Sequence, residues 1–317
     1  MKSAKRSLHR TRRRTVAAGV SPGGSNVQIA TTLESLRTDP GGKMPPSTAG
    51  GTPALTVLAI AAHPDDIEFM MAGTLLLLKQ AGCETHYLNI ANGNCGSVEY
   101  NSATLRKMRA TEARRAAKVL GAHFHPSLTN DLEIFYDLKT VRRLAAVVRE
   151  VKPSIVLTHS PQDYMEDHAN ACRLAVTAAF AHGMPNLKSI PDRPVYEGDV
   201  TVYHGMPHGL CDSLRRRIVP GAFVNTASVQ KIKFAALAEH RSQQHWLDVS
   251  QGLNSYLRAM NDMSREVGKM SKKFKHAEGW RRHLHLGFSS QEIDPLATIL
   301  GKNYLINKKY ERKLEKG

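Results

Sequence analysis

The sequence predicts an α/β fold, a Rossmann-like three-layer arrangement around a mostly parallel sheet with its active site at the carboxyl ends of the strands. Three observations carry this expectation. Apolar strand-like runs alternate with helix-length segments from residue 55 to residue 182, the pattern of a parallel sheet covered by helices on both faces. Two polar clusters directly follow strand-like runs, His63-Pro64-Asp65-Asp66 after the first and the loop 159–168 after the fourth. Open sheets of this kind bind ligands beyond the carboxyl ends of their strands. Finally, 317 residues are enough for one large domain with a sizeable core.

The elements follow in order. Residues 55–62 (LTVLAIAA) read as a buried strand and 69–81 as a helix. A strand at 85–91 leads through a Gly/Asn loop (NGNCGS) to a long helix at 103–120. A short strand near His123, a helix at 140–151, a strand at 154–158 (SIVLT) and a helix at 168–182 complete the alternation. Beyond Gly183 the pattern loosens. Strands are expected at 200–203 and 218–225, then a helix at 228–243. The remainder reads as helical and basic, with irregular stretches around Gly252, Gly268 and Gly287.

Composition narrows the setting. Apolar residues make up 41% of the chain, and no apolar run is long enough to cross a membrane. Four widely spaced cysteines without a CxxC pair suit free thiols in a reducing, cytoplasmic compartment. The net charge of +16 is concentrated in places. Lys2, Lys5, Arg6, Arg10, Arg12, Arg13 and Arg14 precede any acid, and further clusters lie at 215–217, 269–275 and 308–316. A basic arm can hold phosphate, nucleic acid or an anionic membrane surface. The favoured reading is a solvated tail, because like charges in a block repel and the first 52 residues are rich in Gly, Ser and Pro. Residues 1–52 are therefore expected to form a flexible tail and 53–317 a single domain with a helical, basic carboxyl-terminal part. The arginines are not followed by the apolar stretch of a secretory leader; an organelle transit peptide or a misassigned start would read the same way.

His63, Asp65 and Asp66 form the most informative cluster. An imidazole and two carboxylates at the end of a buried strand need partners or a metal. Pro64 fixes the turn and keeps His63 out of the helix. His63 and Asp66 stand three residues apart at a helix start, close enough to share one ion. A catalytic zinc takes three protein ligands and keeps one position open, so a third ligand is expected from another strand end, best from the loop 159–168. A helix N-cap explains one of the carboxylates but leaves the histidine and the second acid idle.

With these residues in view, the chain resembles the LmbE-like / PIG-L family of metal-dependent N-acetylglucosaminyl deacetylases. AHPDDIE at 62–68 with Gly73-Thr74 is similar to that family's first motif, and Asn92-Gly93 to its second landmark. Arg109 and Glu112 resemble its R-x-x-E helix, Asp167-His168 the end of its last ligand motif, and 231–243 (KIKFAALAEHRSQ) its late His-x-Ser-Gln helix. The resemblance runs from about residue 55 to 244. It implies that His63, Asp66 and His168 hold zinc, or another divalent ion such as Fe2+. It further implies that Asp65 is the general base, and that the reaction removes an N-acetyl group from an N-acetylglucosamine-type glycoconjugate, releasing acetate.

One departure stands out. Many relatives carry His-Pro-Asp-His where this chain has Met165-Glu166-Asp167-His168, and the first of those histidines is taken to assist the oxyanion. Methionine cannot. The replacement candidates are His159, Tyr164, His204, His208 and His240; His208 is favoured because the preceding strand should end near the site. Arg109, Asp131 and His240 are candidates for substrate binding, although Arg109 could instead pair with a nearby acid, Asp131 could cap the next segment, and His240 could be structural. Cys172, one turn beyond His168, reads as core. Two other functions compete: a polyanion- or nucleic-acid-binding protein on a catalytically silent version of the fold, and a metal-dependent amide hydrolase of a non-sugar substrate. A small-molecule glycoconjugate is the expected partner; nucleic acid has no support beyond charge.

Overall fold

The computed structural model describes residues 55–251 and 255–316, so the tail expected over 1–52 and the stretch at Gly252 lie outside the described residues. In chain order the elements are β1 (Thr56–Ala61), α1 (Asp66–Met70), α2 (Ala72–Gln80), β2 (Glu84–Asn89), α3 (Ser102–Leu120), β3 (His123–His125), α4 (Leu138–Val151), β4 (Ile155–Thr158) and α5 (Glu166–Phe180). There follow β5 (Thr201–Gly205), β6 (Ala222–Asn225), α6 (Gln230–Leu237), α7 (Arg241–Gln251), α8 (Ser255–Ser271), β7 (Ala277–Arg282), α9 (Pro295–Leu300), β8 (Tyr304–Ile306) and α10 (Lys308–Leu314).

Among the described residues, eight strands form one mixed sheet in the order β3-β2-β1-β4-β5-β7-β6-β8. The first five pair in parallel, and the last three are joined by antiparallel ladders. β1 lies between β2 and β4, so the strand order reverses at its edge. The loops leaving β1 and β4 therefore open side by side, where sheets of this kind bind ligands.

β1 shows why the first strand is apolar throughout. Val57, Ala59 and Ala61 face a core shared with α2, α3, α6 and α8, while Leu58, Ile60 and Ala62 face a second core shared with α4 and α5. A strand buried on both sides reads as a continuous apolar run.

The structure departs from expectation in the second half and at one helix. The helix expected at 69–81 is broken at Met71 into α1 and α2. The break frees the start of α2, whose Gly73 and Thr74 N–H groups donate to the Glu278 carboxylate of β7 at 2.8 and 2.7 Å. A carboxylate satisfies these otherwise orphaned donors and suits the positive end of the helix. The helix expected at 228–243 is likewise divided, into α6 and α7, at a buried corner that holds His240. β6 starts at Ala222, later than residue 218, because Pro220 cannot contribute a ladder N–H.

The largest correction concerns the carboxyl-terminal part, expected to be helical. It contains β7 and β8, and β7 is the strand that joins β6 to β5. Gly268 lies inside α8, where a Cβ would come within 2.7 Å of the Phe274 and Lys275 carbonyl oxygens, so this close approach requires glycine. Among the described residues no helix is long and apolar enough to cross a membrane.

Candidate metal centre and active-site pocket

β1 ends at Ala61, and Pro64 starts the turn into α1. Asp66 closes that turn by accepting the His63 backbone N–H at 2.8 Å. His63 Nδ1 then lies 3.5 Å from one Asp66 carboxylate oxygen and His168 Nε2 3.5 Å from the other. His63, Asp66 and His168 each offer a ligand atom within 4.8 Å of the others.

Both histidines carry a carboxylate on the opposite ring nitrogen. Asp167 lies 2.9 Å from His63 Nε2, and Asp163 lies 3.0 Å from His168 Nδ1. Such partners hold the N–H on the outer nitrogen and leave the inner lone pair free for a metal. Asp167 is itself fixed by the Leu132 N–H at 2.7 Å. Two imidazole nitrogens and one carboxylate facing a cavity are the donor set of a catalytic zinc site, so these residues fit a divalent ion.

The local field agrees. Burial works against the charge of Asp66, but the imidazoles of His168 and His159 outweigh it and hold the carboxyl well below its usual range. Burial likewise opposes charge on His63, yet Asp167 and Asp66 lift its pKa to about 10. The centre therefore favours a cation, with protons competing against a metal for the same lone pairs. His159, Asp163 and His168 make a second trio with ligand atoms within 4.8 Å. It is buried throughout, and in it His168 offers no more than the nitrogen that Asp163 already holds or the one facing the first centre.

A cavity of about 470 Å³ opens on the first trio, lined also by Asp65, Arg109, Asp131, Tyr164, Met165 and His208. Asp65 has φ 113° and ψ −24°, a conformation that costs a non-glycine residue on the order of 1–3 kcal/mol. The Tyr256 hydroxyl donates to Asp65 Oδ2 at 2.7 Å. Burial first, and the charge of Asp66 second, push the Asp65 carboxyl up to about 6, against the pull of Arg109 and His240. Arg109, 2% exposed, donates to the Pro64 carbonyl at 3.5 Å and does not pair with Glu112. That acid accepts instead from the Ser242 N–H and hydroxyl, tying α3 to α7. Gly93 (φ 77°) lets its loop close over Arg109, whose Cγ would meet a Cβ at 2.9 Å.

The structure separates the remaining candidates. Tyr164 and His208 line the cavity, as does Met165. His208 follows β5, with its ring 5.3 Å from Phe69 and 6.2 Å from Tyr164. His159 sits behind the centre: its Nε2 accepts the Ala62 N–H at 2.8 Å and its ring stacks on His168 at 4.3 Å. His204 is buried between the His159 carbonyl and His283, at 2.9 Å from each. His240 is fully buried with Nε2 3.2 Å from Glu68 and does not line the cavity. Asp131 lines it and accepts the Gly93 and Cys95 N–H groups at 2.7 and 3.1 Å; the cap of the next helix, α4, is Asp137. Cys172 is buried, with Sγ 3.4 Å from His204 Nδ1. Sequence reasoning assigned no role to Asp163 or Tyr256, and named Asp167 and the cavity-lining Gln243 only as members of motifs. The two aspartates had a signal, since both lie within five residues of His168 in a loop already singled out.

Residues 58–180 match the model of the family described as GlcNAc-PI de-N-acetylase, PIG-L. The chain is 30% identical over 233 residues to diacetylchitobiose deacetylase of Thermococcus kodakarensis, spanning 71% of this chain and 82% of that protein. It is 31% identical over 206 residues to a 4-oxalmesaconate hydratase of Pseudomonas putida, spanning 61% and 76%. The crystal structure of N,N'-diacetylchitobiose deacetylase from Pyrococcus horikoshii shares the fold, with a TM-score of 0.61 and 21% identity over 87% of this chain and all of that one. The 4-carboxy-2-hydroxymuconate hydratase of Pseudomonas putida shares it at a TM-score of 0.62 and 24% identity, over 76% of this chain and all of that one. The family match covers the stretch from β1 to α5 that builds the centre, and with the similarity to the Thermococcus enzyme it places this chain in the PIG-L family.

Proposed function

We propose that this chain is a zinc-dependent N-deacetylase of an N-acetylglucosamine-type glycoconjugate. The observation that carries the reading is the convergence of His63, Asp66 and His168 within 4.8 Å on a cavity that also holds Asp65. A divalent ion bound there would acidify a water and polarise the acyl oxygen. Asp65, raised to about 6, takes a proton from the attacking water and returns it to the leaving nitrogen as the C–N bond breaks. Acetate and a free amine result. Tyr256 holds Asp65 in position, and Arg109 and Asp131 are placed on the cavity wall to meet sugar hydroxyls. His208 or Tyr164 donates to the developing oxyanion in the role that Met165 cannot fill. The four cysteines are unpaired, which supports a reducing, cytoplasmic setting, and the 3-2-1-4-5 order of the parallel strands supports the Rossmann-like description.

The test is metal analysis of the purified protein together with acetate release from N-acetylglucosamine conjugates. Near-stoichiometric metal is expected, with both metal and acetate release lost in His63→Ala. Folded, metal-free protein whose behaviour is unchanged by that substitution refutes the reading.

A second reading has the 31% identity to the hydratase in its favour. The same trio would hold the ion and Asp65 would still move a proton, but water would add across a carbon–carbon double bond of a carboxylated substrate. Loss of conjugated-diene absorbance without acetate release selects it.

A further inference from the structure

We propose a second ligand site, outside the metal-centred pocket, that takes a phosphate-bearing small molecule in the cavity between the 211–217 turn and α10. The basic clusters at 215–217 and 308–316 are far apart in sequence, and the fold brings them together. Antiparallel pairing of β6 with β8 sets Ala222 against Ile306. Asn307, just before α10, pins the junction by donating its backbone N–H to the Gly221 carbonyl and its side-chain amide to the Pro220 carbonyl, each at 2.7 Å.

The resulting cavity of about 510 Å³ is lined by Arg216, Arg217, Arg281, Lys309 and Lys313, against a single carboxylate, Asp212. That size suits a small molecule. Asp212 is engaged with the turn itself, accepting the Leu214 and Arg216 N–H groups at 2.9 and 2.8 Å. Arg217 is paired with Glu266 at 2.6 Å. Arg216, Lys309 and Lys313 have no acidic partner among the described residues.

Arg281 supplies the inner wall. Its guanidinium donates to Gln162 Oε1 at 2.5 Å and Ser160 Oγ at 2.6 Å, and its Nε is buried without a partner. All of these neighbours are neutral, so the charge is held in place without a counterion.

A basic patch on a convex face is simply solvated. Here cations from three separate segments converge on one concavity, which focuses the field on an anion. Arginine forks match phosphate oxygens in geometry. The inner wall also touches the loop that carries Asp163 and leads to His168, so an anion held by Arg281 bears on the segment that positions a candidate metal ligand.

The experiment is calorimetric titration of the full chain with inorganic phosphate and pyrophosphate at low chloride. Saturable one-to-one binding is expected, weakened at least about tenfold in the Arg216→Ala/Lys313→Ala double variant and unchanged in His63→Ala. Both substituted positions are exposed, and circular dichroism checks that the fold is kept. Arg281→Lys, which keeps the charge but loses the fork, should bind more weakly than the parent. Binding that disappears in His63→Ala and survives in the double variant would put the anion in the metal pocket and overturn the proposal. So would an absence of saturable binding, or binding of heparin alone.

Discussion

Asp65 combines a strained backbone, a buried carboxylate and a hydrogen bond from a residue 191 positions away. Such a combination persists only where the surroundings enforce it. Asp65→Asn keeps the shape and tolerates positive φ, while removing the proton acceptor. It should retain metal and fold yet lower acetate release by roughly 10²–10⁴-fold; unchanged turnover at full metal content would remove Asp65 from the chemistry. Tyr256→Phe tests the support beneath it. The expected outcome is a drop in kcat of about tenfold with KM and metal content nearly unchanged, and a fall in metal content instead would assign Tyr256 a structural role. What sequence could show at this scale follows from distance along the chain. His63, Asp65 and Asp66 are contiguous and were legible as a cluster. Asp163 and Asp167 acquire meaning only once His168 faces the centre. Tyr256 has no local signal, because its partner arrives through tertiary packing of α8 under α1.

At the scale of elements, the site rests on the start of α2. Glu278 of β7 accepts from Gly73, from Thr74 N–H and hydroxyl, and from Lys233 Nζ at 2.7 Å, and the ion pair is almost fully buried. Lys233 also donates to the Phe69 carbonyl at 3.0 Å, gripping α1 from below. Glu278→Ala leaves a buried ammonium unpaired and two helix N–H groups uncapped, so a loss of about 3–5 kcal/mol in unfolding free energy is expected by urea denaturation. Gly73→Ala places a Cβ 2.4 Å from Thr226 Cγ2 and should cost about 1–3 kcal/mol. Near-parental stability in both variants would show that this junction is not what holds α1 and α2 in place. The same junction explains why β7 escaped the sequence reading. Its residues, AEGWRR, lack an apolar or β-branched run, and its buried glutamate looks wrong for a strand until Lys233 and α2 are beside it. In the parallel half, β1 and β4 were the most legible, because both of their faces are buried and each carries a continuous apolar run.

Across the whole molecule, several histidines are folded in the neutral form, and that sets an acid limit on stability. Burial holds His204 down at about 4, and burial together with the neighbouring His125 holds His86 at about 4. Glu84 opposes the shift at His86, and His123 adds to it. His125 and His283 are lowered too, burial being the first cause in each. Because the unfolded chain binds a proton at each such site near pH 6.5 and the folded chain does not, unfolding takes up protons between about pH 6.5 and 4. Stability should therefore fall as pH drops through that window, while these groups contribute no slope above it. His86 offers a clean probe, since its side chain meets His123, His125 and Glu84, none of which lines the candidate metal pocket. His86→Gln removes one titrating group, so the dependence of unfolding free energy on pH between 4 and 6.5 should become shallower by at most about 1 kcal/mol per pH unit. The variant also loses the 2.9 Å contact with His125, which shifts stability at every pH, and for that reason the slope is the quantity to compare. An identical slope in parent and variant would mean that His86 titrates alike in the folded and unfolded chain, and that burial at this edge of the sheet does not exclude the charged form.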